Sequence, residues 1–504
     1  MAAEPQVAVR SVWRIDPRDD VAVALRPIAA NERVLAPGQV IEALEPIPAG
    51  HKIALRPISA GEQVRKYGWP IGRARQAIAC GAHVHSHNLA TELAGVQDYG
   101  VEPVSTVSFA PAPAAAPTFR GYRRADGRVA TRNEIWILPT VGCVNRTAEK
   151  LARLACERYG ADVDGIHAFT HQFGCSQLGD DLDRTRGLIA ALARHPNAGG
   201  VLVLGLGCES NQLDALMGSL GDATRSRIRD LAAQQSGDEI AAGMALLDEL
   251  VAVAARDQRE ECTAAALTIG LKCGGSDGFS GITANPLVGR IADRVTASGG
   301  AAVLTEIPEI FGAEHLLMGR AASAQVSRDI ATLVNGFKRY FIDHDQPVHE
   351  NPSPGNIAGG ITTLEEKSLG AVQKGGRATV TGVLRYGESV SGPGLALLES
   401  PGNDAVSATA LVAAGANLLL FTTGRGTPLG FPVPTLKISS NSELAHTKPH
   451  WIDFDAGRVL SEVGPEQTAD ELMQLILATA SGRPARNELN DEREIAIWKG
   501  GVTL

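Results

Sequence analysis

Four of the seven cysteines share one local grammar, a glycine-rich turn directly after an apolar run: Thr140-Val-Gly-Cys143-Val-Asn145, His171-Gln-Phe-Gly-Cys175, Gly205-Leu-Gly-Cys208-Glu209 and Lys272-Cys273-Gly-Gly-Ser-Asp277. A thiolate at a strand-to-helix turn lies at the positive end of a helix dipole, where it can ligate a metal or act as a nucleophile. The same four can be small buried residues at tight turns, because cysteine packs well in interiors. No CxxC pair occurs, so the shared context, rather than spacing, is what raises metal ligation.

A second group is Gly81-Ala-His83-Val-His85-Ser-His87-Asn88. On a strand, alternate residues face one way about 7 Å apart, so neighbouring imidazoles can share a metal or a substrate. A solvent-facing strand edge shows the same alternation, and His83 reads as a surface residue; His85 and His87 are the candidates for binding. Three polar loops complete the inventory: Glu306-Ile-Pro-Glu309, Glu350-Asn351-Pro-Ser-Pro-Gly-Asn356 and Ser400-Pro-Gly-Asn-Asp404. Such loops suit hydroxyl recognition or metal ligation, although Asn-Pro-Ser-Pro-Gly is equally a rigid turn. Gly424-Arg425-Gly426 offers backbone N–H groups and a guanidinium to a carboxylate. Gly205-Leu-Gly207 opens like a dinucleotide loop, yet Ser210 stands where the third glycine belongs, which weakens the reading of a nicotinamide-dependent dehydrogenase.

These groups need a scaffold, and the sequence divides into segments of different pattern. A short repeat runs through the first hundred residues: Ile28-Ala-Ala-Asn31-Glu-Arg-Val34, Ile47-Pro-Ala-Gly50-His-Lys-Ile53, Ile58-Ser-Ala-Gly61-Glu-Gln-Val64 and Ile78-Ala-Cys-Gly81-Ala-His-Val84. Each reads as strand, tight turn, strand, with Gly or Asn at the fourth position supplying positive φ. Alternating Pro and Ala between Val104 and Phe119 forbid a helix and predict an extended connector. From Glu134 onward, apolar runs end in Gly/Cys turns and pass into helix-like segments, at Ile135–Leu138, Gly200–Leu204, Leu267–Leu271, Ala301–Thr305, Ala378–Val383, Asn417–Phe421 and Thr435–Ile438. That rhythm predicts buried parallel strands with ligand crevices at their C-terminal ends. A charged stretch, Ala255-Arg-Asp-Gln-Arg-Glu-Glu-Cys262, reads as helix and as the seam between two α/β domains.

The expected fold is therefore multidomain: a flexible N-terminus at 1–18, a small all-β domain at 19–92, a Pro/Ala-rich linker at 93–118, a middle α/β domain at 119–262, and a C-terminal Rossmann-like parallel sheet at 263–504. A formal charge of −9 without a dense basic cluster argues against nucleic acid as a partner. No apolar stretch is long enough to span a bilayer, and no leader pattern opens the chain, so a cytoplasmic protein with unpaired cysteines is expected.

Taken together, Phe119-Arg-Gly-Tyr-Arg-Arg-Ala-Asp-Gly-Arg-Val-Ala130-Thr-Arg132-Asn133 and the segments LPTVGCVN, HQFGCSQLGDD, GLGCE, CGGSDGFSGITANP, TEIPEIFGAEHLL, ENPSPGN and FTTGRGTP resemble the altronate and galactarate dehydratase family. The N-terminal repeat resembles that family's SAF, or β-clip, domain. HVHSHN, WILPTVGCVN, HDQPVHENPSPGN and the final REIAIWKGGVTL are more similar to the altronate branch than to the galactarate branch. The family more often has Gly where this chain has Ala130.

The resemblance implies loss of water from D-altronate to give 2-dehydro-3-deoxy-D-gluconate, with galactarate or another sugar acid as the alternative substrate. It also implies a divalent metal, usually ferrous iron, with manganese or an iron–sulfur cluster also compatible, and a homodimer. Removing a weakly acidic proton beside a carboxylate requires an electrophile to stabilise the anion that forms. On this reading His171 is the proton-transferring group, with Glu209 second. Arg425, Asn145, Asn351, Asp404, His85 and His87 are substrate-binding candidates, and Cys143, Cys175, Cys208, Cys273, Asp277 and Glu306 are metal-binding candidates.

Overall fold

The computed structural model describes residues 11–100, 116–221, 226–461 and 463–504. The first ten residues of the expected flexible N-terminus, and residues 101–115 of the expected linker, lie outside the described residues.

The four repeats do fold as short antiparallel elements around tight turns. Asn31, Gly50, Gly61 and Gly81, the fourth residue of each repeat, all have φ between 65° and 85°. After each turn comes a short strand, at Arg33–Ala36, Lys52–Ala54, Gln63–Lys66 and His83–Val84. Before the turns, Ile28 pairs with Ile47 and Ile58 with Ile78, and all four isoleucines are buried. Ile28 and Ile47 enter a small core with Val12, Val34, Ile41 and Ile53, whereas Ile58 and Ile78 join the large apolar cluster of the C-terminal sheet.

The next sheet is parallel, with strands β1 (Glu134–Pro139), β2 (Gly165–Ala168), β3 (Ala198–Gly205) and β4 (Ile228–Ala232) in the order β2-β1-β3-β4. Every residue of β1 and β3 is buried, as continuous apolar runs covered on both faces require. Helices α1 (Asn145–Tyr159) and α2 (Gly179–Ala193) follow β1 and β2. The larger sheet has seven parallel strands: β5 (Thr268–Cys273), β6 (Ala301–Leu304), β7 (Val380–Leu384), β8 (Gly394–Leu398), β9 (Leu418–Thr423), β10 (Thr435–Ser439) and β11 (Phe454–Asp455), in the order β7-β8-β6-β5-β9-β10-β11. Its helices include α3 (Ala324–Asp343), α4 (Pro354–Ala358), α5 (Leu364–Ala371) and α6 (Asp404–Ala413). One apolar cluster crosses between the sheets, joining Trp136, Leu188 and Val203 to Leu411, Leu419 and Phe421.

The charged stretch before Cys262 departs from expectation. The preceding helix stops at Ala254, and Glu260–Thr263 is a strand that pairs antiparallel with Thr118–Arg123. Glu260 and Glu261 are exposed while Cys262 is buried, so tertiary pairing of a half-buried edge has overridden helix propensity. Ala130 lies in a two-residue strand and is not among the positive-φ residues, so this departure from glycine carries no backbone strain.

Candidate functional site

The C-terminal ends of β5 and β6 bring together the densest set of ionisable groups. Lys272 and Cys273 close β5, and Glu306 follows β6 in the left-handed conformation at φ 66°. A non-glycine residue pays for that conformation, and such strain concentrates where the backbone must aim a side chain. Glu306 aims its carboxylate into the protein, where it accepts from Lys272 Nζ, from Lys374 Nζ at 2.8 Å and from Cys273 N at 3.1 Å. Lys272 also donates to Asp404 Oδ1 at 2.7 Å, and Lys374 sits 2.7 Å from Cys273 Sγ. Glu309 accepts from Lys367 at 2.8 Å, and Lys367 also donates to Asn351 Oδ1 at 2.9 Å and Asn356 Oδ1 at 3.2 Å.

Three ammonium groups and three carboxylates therefore balance one another in a cluster that is buried except at Asp404. Burial opposes the charge of Glu306, but Lys272 and Lys374 override it and hold the carboxyl at about 2. Burial, with the Glu306 charge, pushes the Cys273 thiol up to about 12. Lys374 is disfavoured as a cation by burial, yet Cys273 and Glu306 raise it above the ordinary lysine range.

The network opens on a cavity of about 600 Å³ lined by Cys273, Glu309, Lys367, Asn351, Asn356 and Asp404, with Phe337, Tyr340 and Phe341 as its apolar wall. The volume suits a six-carbon acid, and the wall pairs convergent polar groups with aromatic surface, as small-molecule sites do. Ser353 caps α4 with a side-chain bond to Asn356 N, and Asn356 Nδ2 donates to Ser276 O at 2.8 Å, which pins the loop carrying both asparagines.

Cys273, Glu306 and Glu309 each offer a ligand atom within 4.8 Å of the others and could hold a metal ion. One sulfur and two carboxylate oxygens suit a borderline divalent ion such as ferrous iron. The Lys374 ammonium, in contact with both Cys273 and Glu306, shows that the group already attracts a cation.

The structure thus collects Cys273, Glu306, Asn351 and Asp404 from the sequence-derived candidates, and separates the others from them. Asp277 is buried and accepts from Phe279 N, Ser280, Ser440 and Asn441, which locks a loop; burial raises its pKa despite these bonds. Arg425 lines a different cavity of about 630 Å³, between the loop after β9 and residues Leu25–Pro27 of the N-terminal module. His85 donates Nε2–H to Ile357 O at 3.0 Å, and its ring stacks on His51 at 4.9 Å; His87 is exposed, 5.6 Å from His83. These imidazoles lie at the seam between the module and α4.

His171, Glu209, Asn145, Cys143, Cys175 and Cys208 lie on the loops after β1, β2 and β3. His171 uses both ring nitrogens on backbone, Nε2 on Pro139 O at 2.8 Å and Nδ1 on Phe173 N at 3.2 Å, and burial lowers its pKa. Glu209 accepts from Thr140 Oγ1 at 2.5 Å, Leu206 N at 3.1 Å and Gly207 N at 2.6 Å; burial opposes its charge, but these bonds bring its pKa down. Asn145 Nδ2 donates to His171 O at 2.7 Å. All three residues hold loops together. Sequence reasoning missed Lys272, Lys367 and Lys374, although a lysine closing the apolar run Leu267–Leu271 was a usable signal for Lys272.

The family model described as D-galactarate/Altronate dehydratase, C-terminal, matches residues 264–503. D-galactarate dehydratase/Altronate hydrolase, second domain, matches 121–255, and Altronate/galactarate dehydratase SAF domain matches 10–92. Among curated proteins the chain is similar to altronate dehydratase of Bacillus subtilis (strain 168), 50% identical over 98% of this chain and 100% of that one. It is 51% identical to altronate dehydratase of Escherichia coli (strain K12), over 97% of this chain and 99% of the relative. Galactarate dehydratase (L-threo-forming) of Escherichia coli (strain K12) is 33% identical over 88% of each chain.

Proposed function

The chain belongs to the altronate/galactarate dehydratase family, and from that premise we propose that it is a hydro-lyase that dehydrates D-altronate to 2-dehydro-3-deoxy-D-gluconate. The observation that carries the reading is the 600 Å³ cavity, in which lysine, carboxylate, amide and thiol groups converge on one side of a volume otherwise walled by aromatic and apolar residues. Identity near 50% to two altronate dehydratases, against 33% to the galactarate enzyme, favours altronate.

We assign the reaction to this cavity rather than to His171 or Glu209, whose polar atoms are engaged with the loops around them. Among the described residues Lys367 is the only lysine lining the cavity, and Asn351 and Asn356 fix its direction. Its three N–H bonds go to Glu309, Asn351 and Asn356, so it acts through its fixed positive charge, which stabilises the negative charge that builds on the substrate carboxylate as the C2 proton leaves. Asp404 gives one carboxylate oxygen to Lys272, and its side chain is 38% exposed at the cavity, so the second oxygen can take that proton. Asn351, whose Nδ2 keeps one N–H beyond its bond to Glu309, offers its amide to a substrate hydroxyl. A divalent metal, for which we propose ferrous iron, would be held by Cys273, Glu306 and Glu309 and would supply electrophilic help to the carboxylate and the departing hydroxyl. We further propose a homodimer located in the cytoplasm; light scattering of the purified protein checks the first part.

Side-by-side turnover of altronate and galactarate by iron-loaded protein under anaerobic reducing conditions tests the function. Altronate consumption with 2-keto acid formation is expected to exceed that of galactarate. Turnover of neither acid, with folded and loaded protein, overturns the reading.

A further inference from the structure

Three thiols take no part in the proposed reaction. Cys143, Cys175 and Cys208 are exposed and free, one on each loop that follows β1, β2 and β3, which are adjacent strands. The loops are laced together by hydrogen bonds. Gly142 N donates to Phe173 O at 2.9 Å and Asn211 N to Gly174 O at 2.9 Å, while Asn211 Nδ2 donates to Thr140 O at 3.1 Å. A side chain at Gly174, where φ is 101°, would collide with the Thr140 carbonyl, so the first two loops touch through bare backbone. His171 and Glu209 bond the same loops. Three cysteines are thereby fixed in one patch at the end of a parallel sheet.

A second observation is independent of the thiols. Gln177, two residues beyond Cys175, is 3% exposed. Its Oε1 accepts from Gly174 N at 3.0 Å, but its Nε2 is buried without a partner. An unpaired buried donor costs about 1–3 kcal/mol, and an amide N–H is a donor of the kind that the sulfur atoms of a cluster accept.

The separation of the thiols selects the ligand. Among the described residues, only Cys273, Glu306 and Glu309 bring three donor atoms within 4.8 Å of one another, so the three loop cysteines are too widely spaced for a single ion. An iron–sulfur core holds its thiolates farther apart than a single ion does, because bridging sulfide lies between its metals, and thiolate ligands select it. We infer that Cys143, Cys175 and Cys208 hold an iron–sulfur cluster, a metal site separate from the Cys273–Glu306–Glu309 group. The three thiols bind as thiolates and release their protons. With three protein ligands, one iron of a four-iron core is left for a non-protein ligand.

The test is made on the full chain and does not depend on turnover. Anaerobic incubation with iron salts and sulfide, followed by desalting, is expected to leave iron and acid-labile sulfide bound together, with the broad visible absorption of iron–sulfide charge transfer. Cys143→Ser, Cys175→Ser and Cys208→Ser should each lose this chromophore, while Cys156→Ser and Cys273→Ser keep it. Alkylation of the wild-type protein, mapped by mass spectrometry, covers the case of a serine variant that does not fold. Cys143, Cys175 and Cys208 should be protected only after loading, and Cys156 labelled in both states. Iron retained without sulfide, a chromophore that survives replacement of all three cysteines, or equal labelling of the three before and after loading would each overturn the inference.

Discussion

The lysines are the residues on which the proposed reaction stands or falls. Replacing Lys367 with Met removes a cation that faces the cavity and bonds Glu309, Asn351 and Asn356. Loss of one such electrostatic stabiliser is expected to lower kcat/KM about 100-fold or more, measured by 2-keto acid formation with circular dichroism confirming the fold. Asp404→Asn keeps an oxygen for Lys272 but has no basic carboxylate, so kcat should fall by about 100-fold or more with little change in KM. A substitution at Glu306 acts differently. Glu306→Gln leaves Lys272 and Lys374 short of their shared buried counter-charge, which is expected to destabilise the protein by about 3–5 kcal/mol in urea unfolding. The sequence made Cys273, Glu306, Asn351 and Asp404 legible because each stands in a polar turn after an apolar run. It could not reveal the lysines' roles, since a lysine ordinarily marks a solvated surface and only the closed sheet shows Lys272 and Lys374 buried. Nor could local context distinguish Cys273 from the other three turn cysteines; sheet membership separates them.

At the scale of the element, the N-terminal repeat is where sequence spoke most directly. One position in seven demanded positive φ, and all four such positions have it. The same turn is not equally tolerant in each copy. Around Gly61 a Cβ would meet nothing within 4 Å, whereas at Gly81 it would collide with the Glu42 carbonyl. Gly61→Ala therefore bears only the left-handed backbone cost of about 1–2 kcal/mol. Gly81→Ala must also displace the chain at Glu42 and should lower the thermal midpoint clearly more in differential scanning calorimetry. The C-terminal segment is a different case, because its position depends on distant partners. Trp498 stacks on Phe337 of the cavity wall, Gly500 and Gly501 donate to Asp181, and Leu504 N donates to Ser176 O at 3.0 Å. It ties the cavity wall to the loop of Cys175. Nothing in REIAIWKGGVTL has a period that announces this, just as the charge of Glu260 and Glu261 concealed an edge strand.

Across the whole molecule, the N-terminal module is joined to the α/β body by a buried triad of charges and by imidazoles that burial keeps neutral. Lys52 and Lys66 both bond Glu366 of α5, at 2.9 Å and 2.7 Å, in a fully buried triad. Burial brings Lys52 down to about 8, and Glu366 is held below its ordinary range because the two ammonium groups outweigh its own burial. Beside this triad, His51 and His85 donate to the Ala358 and Ile357 carbonyls of α4, and His51 Nδ1 lies 3.0 Å from His83 Nε2. Burial depresses all three imidazoles, His83 to about 3. An unfolded histidine titrates at about 6.5, so above that pH both states are neutral and the seam keeps its full stability. Below it the unfolded chain takes up protons that the folded seam refuses, and stability is lost as pH falls from about 6.5 toward the depressed folded values. The urea midpoint should therefore drop between pH 7.5 and pH 5.5, and a variant with His51, His83 and His85 all replaced by Gln should show a shallower drop. Carboxylates elsewhere also take up protons in acid, which is why the difference between the two slopes, rather than the slope itself, is the measurement. Parallel slopes would mean that these imidazoles take up protons alike in both states, and the packing of the module against α4 would then not be what keeps them neutral.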